Sequence, residues 1–519
     1  MLSLEQRILE TKSSGYNTTV GDMESMSSTD GYEYYDEKMN MWREYCGVNF
    51  KEFKGFPTPQ KAEEPITVIT LYDWLNDHYY TFGLHPYEVH QDNVTYIHCK
   101  SDEKLLLKRF FSFANKYSPD VYTGWNISLN KKMKMSGFDF PYIINRTKVL
   151  FGKDTDLYKL LSPIKQVRVW TSNDDISVYI AGVSILDYIA LYKWYSFNNL
   201  EKYTLDFVCQ FELGEKKLEY EGSLTELYNN DWQKYVDYNI KDVYLIKKLN
   251  DKLGYIDLVQ TLSLITRAPM DNFMAMTQML EGKLLTYYRR NGLCAPCFIG
   301  GIQMSYPAAY VKAPDVGLHD WITSVDIASS YPTAMITLEM SIETYIGRIE
   351  HLTEEEVIHY TSKREFPPFS LNKTGDVKNI EGRSLTVFNA LLKKRLIAIA
   401  PCGTCFKTNK KGVIATMERD MFAKRKQIKT EMRALYNIEG QEDEIKRKNA
   451  YQQSLKILLN SCYGILSVPY SRYFCRDMAM AITSCARHTI KQGELYVNDL
   501  LNGNTENTEI EDIINELKG

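Results

Sequence analysis

The stretch 322-ITSVDIASSYPTAM-335 runs an apolar, strand-like segment into a single carboxylate, Asp326, and then turns through small residues into Tyr331-Pro332. A carboxylate buried at a strand end is costly unless something positive stands beside it. The cations come later in the chain. From Lys393 to Lys456 there are 16 Lys/Arg against 7 Asp/Glu, on a chain whose formal net charge is -4. A concentrated basic element on an acidic body is an electrostatic footprint for phosphates. A pair of solvated helix faces is the competing reading, and composition alone favours it.

A chain of 519 residues is too long for one core and suggests about three domains. At 44% hydrophobic and 25% charged it reads as a globular protein, without an apolar run of membrane-spanning length. The start, MLSLEQRILETKSS, carries acids and no secretory core. Ten scattered cysteines fit a reducing cytoplasm better than a disulfide scaffold. Cys294/Cys297 and Cys402/Cys405 have zinc-ligand spacing, but each pair alone is weak and more than 100 residues part them. Buried or turn cysteines are the favoured alternative.

The pattern implies an α/β multidomain chain. Residues 1–55 form an irregular lead-in; 66-ITVITLYDW-74 and 79-YYTFGLHP-86 read as two strands with a turn at Asn76-Asp77, opening an α/β domain over 56–255. A helical linker follows over 256–310, then a strand into Asp326. Residues 380–400 and 412–500 read as mainly helical, and the tail is acidic and polar. Within the basic region one helix is expected near 416–438 and a second near 442–462, broken at Gly440. Lys456, Asn460 and Tyr463 then share one face of the second helix, and Arg425 and Lys429 one face of the first. Two cationic stripes facing one groove would grip a triphosphate.

The combination of motifs is specific. Asp-Ile-Ala-Ser-Ser-Tyr-Pro at 326–332 resembles the first polymerase motif of family-B DNA polymerases, and Lys456-Ile-Leu-Leu-Asn460-Ser-Cys-Tyr463-Gly464 resembles their second. Upstream, 122-YTGWN-126 with 137-GFDFPYIINR-146 resembles the second motif of that family's 3′–5′ exonuclease, and 238-YNIKD-242 its third. Phe298-Ile-Gly-Gly301 resembles the link between the two modules, while 184-SILDYIALYK-193 is similar to tailed-phage replicative enzymes. The resemblance implies an RNase H-like exonuclease over 56–255, a partial palm over 311–380, helical-hairpin fingers over 381–470, and a palm helix with tail over 471–519.

It also implies roles. Asp326 would bind two magnesium ions, with manganese as a substitute, that hold the incoming nucleotide. Tyr331 would lie under the sugar and exclude a 2′-hydroxyl. Arg425, Lys429, Lys456 and Asn460 would face the triphosphate, Tyr463 the nascent base pair, and Gly464 the template base. In the exonuclease Asp139 and Asp242 would hold metal and Tyr238 would orient the attacking water; a packed helix tyrosine is its alternative. Asn126 would support strand geometry or contact the primer end, and Gly300 and Gly301 would contact DNA.

Three departures qualify this. The acidic pair that opens the exonuclease is not just upstream of Gly55-Phe56-Pro57; Asp22-Met23-Glu24 is the nearest match, and without that pair the nuclease lacks half its metal ligands. A loop with Lys131, Lys132 and Lys134 separates Asn126 from Asp139 by more than usual, and Ser330 stands where the family generally has Leu. No Asp-x-Asp follows Tyr463, where the third polymerase motif is expected. The resulting expectation is the N-terminal part of a split phage-type polymerase, acting in a host cytoplasm on primer-template DNA and dNTPs. A C-terminal polypeptide would supply the third motif and thumb, with a sliding clamp as a further partner and no membrane; the isolated chain would barely extend primers. A 3′–5′ exonuclease or single-strand DNA-binding component, and an inactive truncated product, are the alternatives.

Overall fold

The computed structural model describes residues 57–128, 137–172, 175–196, 198–297, 305–308, 310–313, 316–318, 324–436 and 438–501, with backbone alone at 32–36, 41–46, 49–54 and 500–501. Asp22, Glu24, the lysines at 131, 132 and 134, Gly300 and Gly301 lie outside those residues. The chain divides into two compact units, residues 1–253 and 254–519.

The first unit opens with an antiparallel meander of β1 (Tyr32–Asp36), β2 (Met41–Cys46) and β3 (Asn49–Lys54). In a second sheet β4 (Val68–Asp73) pairs antiparallel with β5 (His78–Gly83), and β5 parallel with β6 (Val94–His98). The turn joining β4 to β5 puts Asp77 at φ 49, a left-handed conformation that Asp tolerates. Helix α1 (Glu103–Tyr117) lays Leu106, Leu107, Phe110 and Phe111 against Phe82, a core in which each such side chain contributes roughly 1.5–3 kcal/mol. Strand β7 (Val121–Gly124) leads towards α2 (Asp139–Phe151), and the hairpin of β8 (Val167–Ser172) and β9 (Asp175–Ile180) precedes β10 (Ser184–Asp187), which pairs parallel with β7. Helices α3 (Tyr188–Tyr195), α4 (Leu205–Leu213), α5 (Leu224–Asn230) and α6 (Trp232–Leu253) complete the unit. Arg146 of α2 holds Glu103 of α1 with two bonds of 2.8 and 2.6 Å, a two-pronged pair that fixes α2 in place.

The second unit begins with α7 (Tyr255–Thr266) and α8 (Met276–Arg290), followed by α9 (Ser330–Thr337). An antiparallel sheet in the order β13-β12-β11-β15-β14 comes next: β11 (Tyr345–Glu350), β12 (Phe369–Lys373), β13 (Asp376–Ile380), β14 (Ile397–Ile399) and β15 (Thr404–Lys407). Helices α10 (Glu354–Lys363) and α11 (Gly382–Lys393) pack on it through Val357, Phe388 and Leu392. Residues 397–399 are therefore strand within a stretch that reads as helical; alternate burial of Ile397 and Ile399 decides for the sheet. The long helices α12 (Val413–Leu435) and α13 (Glu442–Ser467) pack together, and α14 (Arg476–Leu501) follows. Among the described residues no helix is long and apolar enough to cross a membrane.

Candidate active sites

The basic helix of the second unit is anchored by two acids that follow α9. The Gly412 N–H donates to Glu339 Oε2 at 3.2 Å, the Val413 N–H to Glu343 Oε1, and the Ile414 N–H to Ser341 Oγ at 3.2 Å. These amides open α12, so the acids satisfy orphan donors and oppose its dipole. Only glycine fits at 412, since a Cβ there would stand 2.7 Å from Ser341 Cβ and 2.9 Å from Glu339 O. Burial would raise the Glu339 carboxyl, but Lys411 and Arg419, each at 2.7 Å, and the Gly412 amide hold it below its usual range.

From this anchor α12 presents Arg425 and Lys429, both half-buried, while α13 presents Lys456 and Asn460 to solvent one turn apart. Arg425, Lys429 and Lys456 make no ion pair among the described residues, and Arg425 Nε is buried without a hydrogen-bond partner. Lys448, near the start of α13, is by contrast neutralised by Glu431 at 2.7 Å. Helix α9 packs against both long helices, and Tyr331 on it stands 5.2 Å ring to ring from Tyr463 on α13. Tyr463 also shares a 2.6 Å hydroxyl contact with Tyr306. Residues from the two polymerase-like motifs thus meet. Asp326, five residues before Tyr331, is solvent-exposed, and 324–327 pairs with no strand among the described residues, leaving Val325 67% exposed. The expected buried strand end is an open carboxylate here.

Ser330 borders a cavity of about 430 Å³ lined also by Ile327, Leu338, Val357 and Cys485. A leucine at 330 should fill part of it. Ser330→Leu is expected to raise stability by about 1–2 kcal/mol, measured by the midpoint of urea unfolding. A lowered midpoint would mean that the surrounding helices cannot admit the side chain.

In the first unit Asp139 opens α2 with its carboxylate facing solvent at the floor of a crowded recess. Crowding by protein, together with the charge of Asp187, pushes it up to about 7. The side chain keeps an open face to solvent. Asp187 caps α3 and accepts the amides of Asn126 at 2.9 Å, Ser128 at 3.1 Å and Ile189 at 3.2 Å. Burial outweighs those three donors and lifts Asp187 to about 6. Asn126 sits at φ 61, and its carbonyl accepts the Phe138 N–H at 2.7 Å, which brings positions 126 and 138 together. Asp187, the charge neighbour of Asp139, was not among the residues picked out by the motif reading. An apolar strand ending in an acid, the pattern already singled out at 326, was the available signal.

Asp242 and Tyr238 lie one turn apart on α6 and share a lysine. Lys217 Nζ donates to Asp242 Oδ2 at 2.7 Å and to the Tyr238 hydroxyl at 3.2 Å, while the Lys217 amide donates to Asp206 Oδ1 at 2.9 Å. Burial raises the Asp242 carboxyl despite Lys217. Asp242 Oδ1 is buried with no partner, an orphan hard oxygen of the kind a divalent cation accepts. Asp139 and Asp242 are not charge neighbours: the first feels Asp187, the second Lys217 and Asp206. Among the described residues no three acids, histidines or cysteines stand together as a metal cluster. Cys405 is buried, and the Cys402 thiol contacts the Thr404 hydroxyl at 3.2 Å.

Residues 48–208 match the family model for DNA polymerase family B, exonuclease domain, and residues 271–517 match that for DNA polymerase family B. The chain belongs to DNA polymerase family B. Both family-B matches follow the order of the motifs, and the exonuclease match begins beyond Asp22 and Glu24. Relatives include the DNA-directed DNA polymerases of Escherichia phage RB69, 27% identical over 86% of this chain and 54% of the relative, and of Enterobacteria phage T4, 28% identical over the same shares. A DNA polymerase of Archaeoglobus fulgidus is 24% identical over 84% of this chain and 45% of the relative. The chain spans about half the length of these curated relatives.

Proposed function

We propose that the second unit binds a deoxynucleoside triphosphate for template-directed DNA synthesis and that the first unit hydrolyses mispaired 3′ ends. The observations that carry the synthetic half are Arg425, Lys429 and Lys456 on two packed helices, without an ion pair among the described residues, and the contact between Tyr331 and Tyr463. Three cations without protein acids are poised for an anion of several charges, and the ring of Tyr331 closes the floor where a sugar would rest. Asp326, an open carboxylate, fits an oxygen-liganded cation. Magnesium, when bound, would neutralise the triphosphate and activate the attacking 3′-oxygen. This chain's own part is positioning: α12 is held at its start by Glu339, Ser341 and Glu343, so its cationic face keeps a fixed place over α9.

On this reading a polypeptide contributing further palm acid and a thumb is a partner, with a clamp beside it, in the host cytoplasm where the phage relatives' counterparts would work. The test is primer extension by the chain combined with such a polypeptide and magnesium. Extension that disappears in Asp326→Ala is expected; extension indifferent to that change sinks the proposal. The second reading, a 3′–5′ nuclease without synthesis, draws on the orphan oxygen of Asp242. Release of a labelled 3′ nucleotide abolished by Asp242→Ala but kept in Asp326→Ala, with no extension under any combination, would favour it.

Gly464 supplies a sharper check. A Cβ there meets nothing within 4 Å, so glycine is not required by packing. Helix propensity alone predicts that Gly464→Ala stabilises the free chain by about 0.5–1 kcal/mol. If the bare backbone is kept for a template base, the same variant should incorporate nucleotides several-fold more slowly. Equal rates would remove Gly464 from the site.

A further inference from the structure

Helix α8 carries a cationic face unrelated to the trio above. Lys283 and Arg290 are seven residues apart, two turns along one side, with Tyr287 between them. Lys283 Nζ lies 5.7 Å from the centre of the Tyr287 ring. Arg267 joins them from the end of α7, because Gly282 lets the two helices touch: a Cβ at 282 would stand 2.5 Å from Thr266 O and 3.5 Å from Arg267 O. Arg267 and Arg290 are exposed and Lys283 is half-buried. None of the three forms an ion pair with a described residue. The acid facing them is Asp420 of α12, which accepts the Tyr287 hydroxyl at 3.0 Å; Tyr451 of α13 is the other titratable neighbour. Burial and the charges of Arg290 and Arg267 push the Lys283 ammonium below its usual range, with Asp420 opposing. A protein gains nothing by crowding three cations around one acid unless an anion relieves them.

We propose that Arg267, Lys283 and Arg290 form a second anion site that takes consecutive phosphates of a DNA backbone. Lys283 and Arg290 are about 10 Å apart along the helix axis, a span suited to successive backbone phosphates rather than to one small anion. Asp420 lies five residues before Arg425, about 140° around α12, so this site and the triphosphate face look in different directions. It therefore engages a different part of the nucleic acid. The inference rests on the reading of the chain as a DNA-binding protein.

The test is titration of a fluorescent primer-template by the full chain, without magnesium, across 50–200 mM salt. The variant Arg267→Gln/Lys283→Gln/Arg290→Gln should bind about tenfold more weakly at the low end, and its plot of log affinity against log salt should flatten by about 2–3. Lys283→Arg should retain the parent slope, and the triple variant's unfolding midpoint should hold or rise as like charges are removed. Triphosphate binding should be unaltered. DNA binding with an unchanged slope overturns this inference alone, whereas an unaltered chain that binds no DNA overturns the broader reading too. If inorganic phosphate raises the melting midpoint of the parent but not of the triple variant, and the DNA slope is unchanged, the site takes a small anion and the backbone assignment fails.

Discussion

Lys456→Ala is expected to slow nucleotide incorporation by about 10²–10³-fold while moving the unfolding free energy by no more than about 0.5 kcal/mol. The side chain is exposed on α13, one turn before Asn460, and makes no ion pair among the described residues, so the free protein loses nothing when it is cut back. What it would supply is charge held ready for a leaving pyrophosphate, with no reorganisation at the moment of reaction. Arg425 and Lys429 lie on α12, which packs against α13, so if the three cations hold one triphosphate as proposed, Arg425→Ala/Lys456→Ala should be less than multiplicative. Lys456→Arg should recover only part of the rate, since a planar fork and a compact ammonium point their donors differently. The measurement is single-nucleotide incorporation by the chain combined with a polypeptide that supplies the proposed further palm acid and thumb, beside urea unfolding of the chain alone. A rate within about threefold of the parent would detach this lysine from the triphosphate.

The shared helix faces behind that prediction were legible from helical period, whereas the triphosphate role came only from the motif resemblance. Residues four apart, Lys456 with Asn460 and Arg425 with Lys429, lie on shared faces because α12 and α13 are regular, although their ends fall at 413–435 and 442–467 rather than at 416–438 and 442–462. The contact of Tyr331 with Tyr463 joins positions 132 residues apart and rests on the packing of α9, which no local pattern reports. The described residues 324–327 lack strand pairing for a related reason: apolar alternation creates a strand's potential, whereas pairing depends on a neighbour far away in sequence. Lys217 is the clearest miss. It lies in an aperiodic polar stretch beside Lys216, and only the fold turns it towards Asp242, 25 residues on. Glu418 shows the reverse failure, since it sits on the basic helix yet is fully buried beside the Cys462 thiol, with burial lifting it to about 8.

Asp139→Asn should separate stability from hydrolysis. The folded chain holds the Asp139 proton up to about pH 7, against an ordinary value of 3.8, because of the crowded recess and the Asp187 charge. Between those two values the folded state binds more protons than the unfolded one, so this group makes stability fall as pH rises through that window. Asparagine removes the titration: stability should become flatter from pH 4 to 7 and exceed the parent's above pH 7. The carboxylate keeps an open face, so water moderates the gain. The ionised form is the one that can hold a cation, so 3′-end hydrolysis by the parent should rise with pH towards 7 and above. The asparagine variant should lose it by about 10²–10³-fold at every pH, since an amide oxygen cannot supply the missing charge. Asp187→Asn discriminates the cause. It removes the neighbouring charge while leaving one oxygen that can still accept the Asn126 and Ile189 amides, so the rise in hydrolysis should begin at lower pH. If the parent's profile is unmoved by Asp187→Asn, the recess acts through desolvation alone; if Asp139→Asn still cleaves, the recess is not where hydrolysis occurs.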